Sequence, residues 1–195
     1  MKIVVGISGA SGAPYARRLL QLLSSHAVKP QVDVVLSQTA EQVWELECGG
    51  SPREMGHTVY EGRNYNAPFA SGSSVHDAMV IVPASMSTVA RIAQGLSDDL
   101  LTRAADVMLK ERRTLIVVPR ETPYSSIHLQ NMLALSRAGA LILPASPSFY
   151  GQVDTVEQLI DTVLARVLDH LGLGNTLATR WGSASSQSTD HGGSL

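Results

Sequence analysis

The sequence predicts an α/β fold: one domain organised on a parallel sheet with helices packed on its faces. Three observations predict it. Residues 115–118 are an uninterrupted, mostly β-branched apolar run, the pattern of a strand buried on both faces. Residues 2–7 are a second such run, followed by the small-residue turn Ser8-Gly-Ala-Ser-Gly-Ala13 and a helix with Leu19, Leu20, Leu22 and Leu23 on one face. Residues 78–82 are a third, running into Pro83-Ala-Ser-Met-Ser-Thr88. The 195 residues suffice for one such domain with a substantial core, and neither an internal repeat nor a second domain is visible.

The elements follow in order. After the first strand, small residues let a ligand approach the backbone, and Pro14 opens a helix whose first N–H groups favour a phosphate. A merely tight strand-to-helix turn would read the same. Gly6, Gly9 and Gly12 do not have the dinucleotide fingerprint spacing, and no Walker lysine follows. Residues 32–36 are a strand ending at Ser37. Residues 39–46 are helical by pattern, with Glu47 at the end, where a solvated glutamate is the ordinary reading. Residues 48–67 are polar and irregular, with a short strand over 58–60. Ala70-Ser-Gly-Ser-Ser74 is a small-residue loop.

The strand at 78–82 ends in a turn with hydroxyls at the N-cap of the next helix. Residues 100–109 are a helix. Residues 114–118 are a strand, stopped by Pro119-Arg120-Glu121-Thr122-Pro123, where two prolines stiffen a turn carrying an anion binder and an acid. A surface salt bridge is the bland alternative. Residues 126–137 are a helix and 140–143 a strand, followed by Pro144-Ala-Ser-Pro147-Ser-Phe-Tyr150. Residues 156–171 are a long amphipathic helix carrying Arg166. The turns at Ser11, Ser85 and Arg120 all follow strand carboxyl ends, so they should line one edge of one sheet, where such folds bind ligands. Residues 1–181 are expected to fold, with 182–195, rich in Ser and Gly, a disordered tail.

Composition narrows the function. A formal charge of -2 gives no reason to expect nucleic acid as a partner. Only 16% of residues are charged and 44% are hydrophobic, which points to surface covered by further subunits. The single cysteine, Cys48, reads as an inert thiol; it excludes an internal disulfide and a Cys-based zinc cluster. With no signal-peptide pattern and no apolar run near 18 residues in length, the expectation is a cytoplasmic protein without membrane contact.

Several motifs occur together and in order: Gly6-Ile-Ser-Gly-Ala-Ser-Gly-Ala13, Ala70-Ser-Gly-Ser73, Ser85-Met-Ser-Thr88, Thr102-Arg-Ala-Ala-Asp-Val-Met-Leu-Lys-Glu-Arg-Arg113, Pro119-Arg-Glu-Thr-Pro123, Ser125-Ser-Ile-His-Leu-Gln-Asn-Met132 and Phe149-Tyr150. Over residues 2–181 the chain resembles the UbiX-like flavin prenyltransferases. The resemblance implies a Rossmann-like (flavodoxin-like) doubly wound parallel sheet in a single three-layer domain, assembled as a homo-oligomer, a dodecamer. It implies transfer of the dimethylallyl group of dimethylallyl phosphate to N5 and C6 of reduced FMN, without a metal. The product, prenylated FMN, would pass to a UbiD-type decarboxylase.

By the same resemblance FMN contacts Gly9, Ala10, Ser11, Ser37, Ser85, Met86, Ser87, Thr88 and Arg120. The donor meets Lys110, Glu121, Tyr150 and Arg166, with Arg103 nearby. Glu47 matches a family acid, so Glu121, Lys110, Glu47 and Ser11 are the expected catalytic set. Tyr65 stands where some members have a tryptophan beside the prenyl tail, and Trp181 where an aromatic helps close the site. Gln38 and Ala84 depart from a frequent lysine and cysteine. Without the resemblance, Lys110 also reads as a solvated helix-end lysine, and Tyr150 and Trp181 as core or interface aromatics. Met86 and Met108 read as packing residues, His128 as a cap or packing histidine, and Arg112 and Arg113 as solvated charges. Two rival functions are an FMN-dependent cysteine decarboxylase, whose Pro-x-Met-Asn-type clamp motif is not seen here, and a non-catalytic flavin carrier.

One expectation comes from geometry. Lys110 precedes the strand at 114–118 and Arg120 follows it. A five-residue strand spans about 17 Å, so the two should lie near opposite edges of the sheet. Lys110 is therefore predicted to reach a neighbouring subunit's flavin, with the site built at an interface.

Overall fold

The computed structural model describes residues 1–150 and 153–180. Strands β1 (Lys2–Ile7), β2 (Gln31–Leu36), β3 (Thr58–Glu61), β4 (Ala78–Ala84), β5 (Thr114–Pro119) and β6 (Leu141–Ile142) form one sheet in the order β3-β2-β1-β4-β5-β6. Every pairing is parallel. This is the six-stranded Rossmann order; a flavodoxin sheet would put the third strand beside the first. Helices α1 (Ala13–Ser25), α2 (Ala40–Cys48), α3 (Met86–Ala93), α4 (Leu100–Lys110), α5 (Ser126–Arg137) and α6 (Val156–His170) connect and cover the strands.

The two-residue period of a strand sorts the core into two halves. Ile3, Val5, Val34, Val80, Ile116 and Val118 face α1, α2 and α6. Val4, Val35, Met79, Ile81, Leu115 and Val117 face α3, α4 and α5. Continuous apolar runs are therefore required, because both faces are dry. Helix starts are fixed by local side chains: Asp99 with Thr102 at α4, Ser125 with His128 at α5, and Thr155 with Gln158 at α6. His128 is thus a capping residue.

One charged pair ties the first layer together. The Arg18 guanidinium on α1 donates to both carboxylate oxygens of Asp161 on α6, at 2.8 and 2.7 Å, and pairs with Glu157 at 2.9 Å. Asp161 is only 6% exposed. Asp161→Ala strands half of this fork, and we expect a loss of about 2 kcal/mol, read as a lower urea midpoint at unchanged slope.

Two element boundaries differ from the sequence reading for physical reasons. α2 continues through Cys48, which places Glu47 inside a helix. β6 is only two residues long, although Leu143 and Ala145 N–H still donate to Val117 and Pro119 on β5. Pro119 has no N–H to return to the Leu143 carbonyl, so past Ile142 the bonds run one way and the regular ladder ends.

Candidate active site

The sheet changes winding direction between β1 and β4, and the chain leaves those neighbours toward opposite sides. The crevice at their carboxyl ends is the ligand site of this architecture. Buried Ser8 holds it together. Its hydroxyl donates to the Pro83 carbonyl at 2.8 Å and accepts from the Ser85 N–H at 2.7 Å. Arg120 joins the third turn: its Nε donates to the Ser11 carbonyl at 2.8 Å, and its N–H to the Ala84 carbonyl at 3.3 Å. The three turns therefore meet at one edge. Ser8 was not singled out in the sequence; its signal is a hydroxyl directly after an apolar strand.

The start of α1 does not offer its amides to a phosphate. Glu47 Oε2 accepts from the N–H groups of Gly12 and Ala13, both at 2.8 Å. An anion does sit at this helix N-terminus, as the dipole favours, but it is the protein's own. Desolvation raises the Glu47 pKa; the Ser11 hydroxyl, those two amides and the Arg120 charge outweigh it, so the carboxyl sits below its ordinary range. Glu47 is therefore more than the solvated residue its sequence position suggests. A depressed folded-state pKa stabilises above the unfolded value and is lost as pH falls through the folded value. The side chain is largely exposed, so the contribution stays below about 1 kcal/mol. Glu47→Gln should lower the Tm at pH 7 by roughly 3 °C, and the gap should close as a pH series descends through the carboxylate range.

The remaining cradle is made of hydroxyls and close backbone. The Ser85 hydroxyl accepts from the Thr88 N–H at 3.3 Å and lies 3.2 Å from Ser87 Oγ and 3.0 Å from Thr88 Oγ1. Met86 is buried beneath it. Gly9 packs so closely on Thr39, at the start of α2, that a Cβ has no room. Ser37 N–H donates to the Ile7 carbonyl at 2.9 Å. Its hydroxyl is buried and has no hydrogen-bond partner among the described residues. Ser37, Gln38 and Thr39 also border a neighbouring cavity of about 680 Å³, lined further by Glu41, Glu61, Asp98 and Asp99 and by none of the Ser11, Ser85 and Arg120 turns. An unpartnered buried hydroxyl, a set of further hydroxyls and a glycine turn suit a flavin mononucleotide, and Gly9 to Ser11, Ser37, Ser85 to Thr88 and Arg120 would hold it. Ala84 is fully buried in β4. Glu121 lies beside Arg120, its carboxylate accepting from the Thr122 N–H at 3.0 Å.

The other expected residues form two separate groups. Lys110 ends α4, leading into the amino end of β5, where it crowds Gly72 and pairs with Glu111. Arg103 Nε donates to the Ala70 carbonyl at 3.0 Å, and Arg113 to the Gly72 carbonyl at 2.9 Å. Arg113 is thus no ordinary solvated charge: one of its nitrogens is buried and unpartnered among the described residues. Arg103, Lys110 and Arg113 so gather three cations around residues 70–74. The third group is on α6. Arg166 borders a cavity of about 500 Å³ with Ser146, Ser148 and Thr162. The Ser148 N–H donates to Thr162 Oγ1 at 3.1 Å, which sets the following Phe149-Tyr150 near this face. Tyr150 and Tyr65 are exposed. Trp181 lies outside the described residues. Among those residues, no group of His, Cys, Asp and Glu could hold a metal ion.

Comparison with known proteins matches the Flavoprotein family over residues 1–168. The flavin prenyltransferase UbiX of Thermoplasma acidophilum is 48% identical over 184 residues, covering 93% of this chain and 100% of that protein. The chain belongs to the UbiX family of flavoproteins. The UbiX of Pseudomonas aeruginosa is 42% identical, covering 93% of this chain and 94% of its own. Among solved structures, the dodecameric FMN-dependent UbiX-like decarboxylase of Escherichia coli O157:H7 superposes with a TM-score of 0.88 at 43% identity, covering 93% of this chain and 99% of that one. AnUbiX in complex with FMN and dimethylallyl pyrophosphate does so with a TM-score of 0.88 at 41% identity, covering 94% and 98%. The cysteine decarboxylase SpaF, at 18% identity and a TM-score of 0.58, shares the fold alone.

Proposed function

We propose that this UbiX-family protein is a flavin prenyltransferase, joining the dimethylallyl group of dimethylallyl phosphate to N5 and C6 of reduced FMN. The observation that carries the reading is the division of the chain into a flavin cradle at the carboxyl edge and a cationic group, Arg103 with Lys110, toward the other edge of the sheet. A plain flavin holder has no use for the second. In the reaction the N5–carbon bond forms as the carbon–oxygen bond to phosphate breaks, and phosphate leaves with the electron pair. Closure on C6 shifts a proton from the ring to the allyl double bond, relayed by Glu121 or the released phosphate. Lys110, Arg103 and Arg166, with the Tyr150 hydroxyl, hold the phosphate as its charge grows. Tyr65 presents an aromatic face to the cationic allyl carbon. Ser11 and Glu47 orient the flavin side of the site.

Lys110 serves the cradle of a neighbouring subunit, so the working unit is a homo-oligomer with shared sites, a dodecamer. Ile127, Leu129 and Leu133 on α5 are exposed and apolar, as a subunit contact needs. The product passes to a UbiD-type decarboxylase. The domain end expected near residue 181 and the tail expected at 182–195 lie outside the described residues. The protein works in the cytoplasm. No helix among the described residues is long and apolar enough to cross a membrane.

The test is an anaerobic single turnover of reduced FMN with dimethylallyl phosphate, read by flavin mass. The expected result is a gain of one five-carbon unit with reduced FMN and none with oxidised FMN. Binding of FMN without mass gain would leave the flavin carrier standing; decarboxylation of a cysteine substrate from oxidised FMN would favour the rival enzyme.

A further inference from the structure

We propose that Asp33 and His76 are positioning residues for the donor's phosphate, acting through the loop at residues 70–74. The inference rests on the reading above. It starts from a misfit. Asp33 interrupts the apolar run of β2 and is only 4% exposed, while His76 is 3% exposed. His76 Nε2 lies 2.8 Å from Asp33 Oδ2. The ring is packed edge-on against Phe69, with centroids 5.6 Å apart, and Phe69 in turn meets Tyr60. Such a pair desolvates two polar groups, and apolar side chains of similar volume often stabilise a buried position equally well. Its use lies in what it grips.

The other ring nitrogen, Nδ1, is 2.6 Å from the hydroxyl of half-buried Ser74. A ring that donates Nε2–H to Asp33 accepts the Ser74 hydroxyl at Nδ1. The same hydroxyl accepts from the His76 N–H at 3.2 Å. Ser74 N–H donates to the Ser71 carbonyl at 3.0 Å, and Ser71 and Ser73 hydroxyls are 3.0 Å apart. One chain of contacts thus runs from a sheet strand to a surface loop: Asp33, His76, Ser74, Ser71. On its other side the loop is held by Arg103 at Ala70 and Arg113 at Gly72, and Lys110 presses on Gly72. Tethering from both sides fixes the distance between the loop's hydroxyls and the Lys110 ammonium. A phosphate that must touch both is bound well only when that distance is fixed.

The test replaces the pair by apolar volume, Asp33→Val with His76→Phe. We expect the melting temperature to hold, FMN affinity and kcat at saturating donor to stay within about twofold, and the KM for dimethylallyl phosphate to rise about tenfold. An unchanged donor KM overturns the inference, as does an equal fall in kcat and FMN affinity, which marks a purely structural pair. Should the double variant fail to fold, Ser74→Ala leaves the core intact and should raise the donor KM about threefold; no rise overturns the proposal. Lys110→Ala is measured alongside. If it leaves donor KM and rate unchanged, the donor site itself is wrong; if it impairs both while the pair's replacement does nothing, only the tether is wrong.

Discussion

Subunits carrying Lys110→Ala and subunits carrying Arg120→Ala, each inactive alone, should regain activity when dissociated and re-associated together. Arg120 follows the carboxyl end of β5, with its Nε on the Ser11 carbonyl. Lys110 ends α4, before the strand begins. The six residues of β5 separate them by about 20 Å. We therefore expect the Arg120 and Lys110 that serve one flavin to come from two subunits. Loss of either should cost about a hundredfold or more in rate, since each holds charge that is present or growing in the transition state. In a random mixture, about a quarter of the interfaces join an intact Arg120 cradle to an intact Lys110. The initial rate of flavin prenylation should recover to about that fraction of wild type. A mixture as inactive as its parents would mean that the sites are not shared.

Gly9→Ala should weaken FMN binding about a hundredfold and lower the melting temperature. The added methyl group has no room against Thr39, and Thr39 opens α2, which follows Ser37 directly. Two walls of the cradle must therefore move apart together. Gly174 is the control: a Cβ there meets nothing, so Gly174→Ala should change stability by no more than about 0.5 kcal/mol. Fluorescence titration with FMN reads the first effect and a thermal melt the second. Equal behaviour of the two variants would show that the Gly9 turn is not a flavin wall.

The strands were legible because burial on both faces demands β-branched runs, and residues 2–7 match β1 from end to end. The convergence of three turns was legible because glycines, hydroxyls and prolines cluster where strands stop. What could not be read are pairings between distant elements. Glu47 caps a helix that begins 34 residues earlier in the chain. Asp33 and His76 are 43 residues apart. Asp33 did leave a trace, a charge inside an apolar strand, but nothing in the sequence says what answers it. Arg113 looked like its neighbour Arg112; only the fold separates the one that reaches Gly72. The remoteness of Lys110 from Arg120 was readable, since it needs only chain length and the rise of a strand.

Ser8 and Arg120 stitch the three turns to one another with the chain's own backbone and side chains. The crevice proposed for the flavin is consequently cast before any flavin arrives. Its ordering cost is met during folding, which leaves little reorganisation to slow capture. A crevice built this way can load its acceptor early and wait for its second reactant.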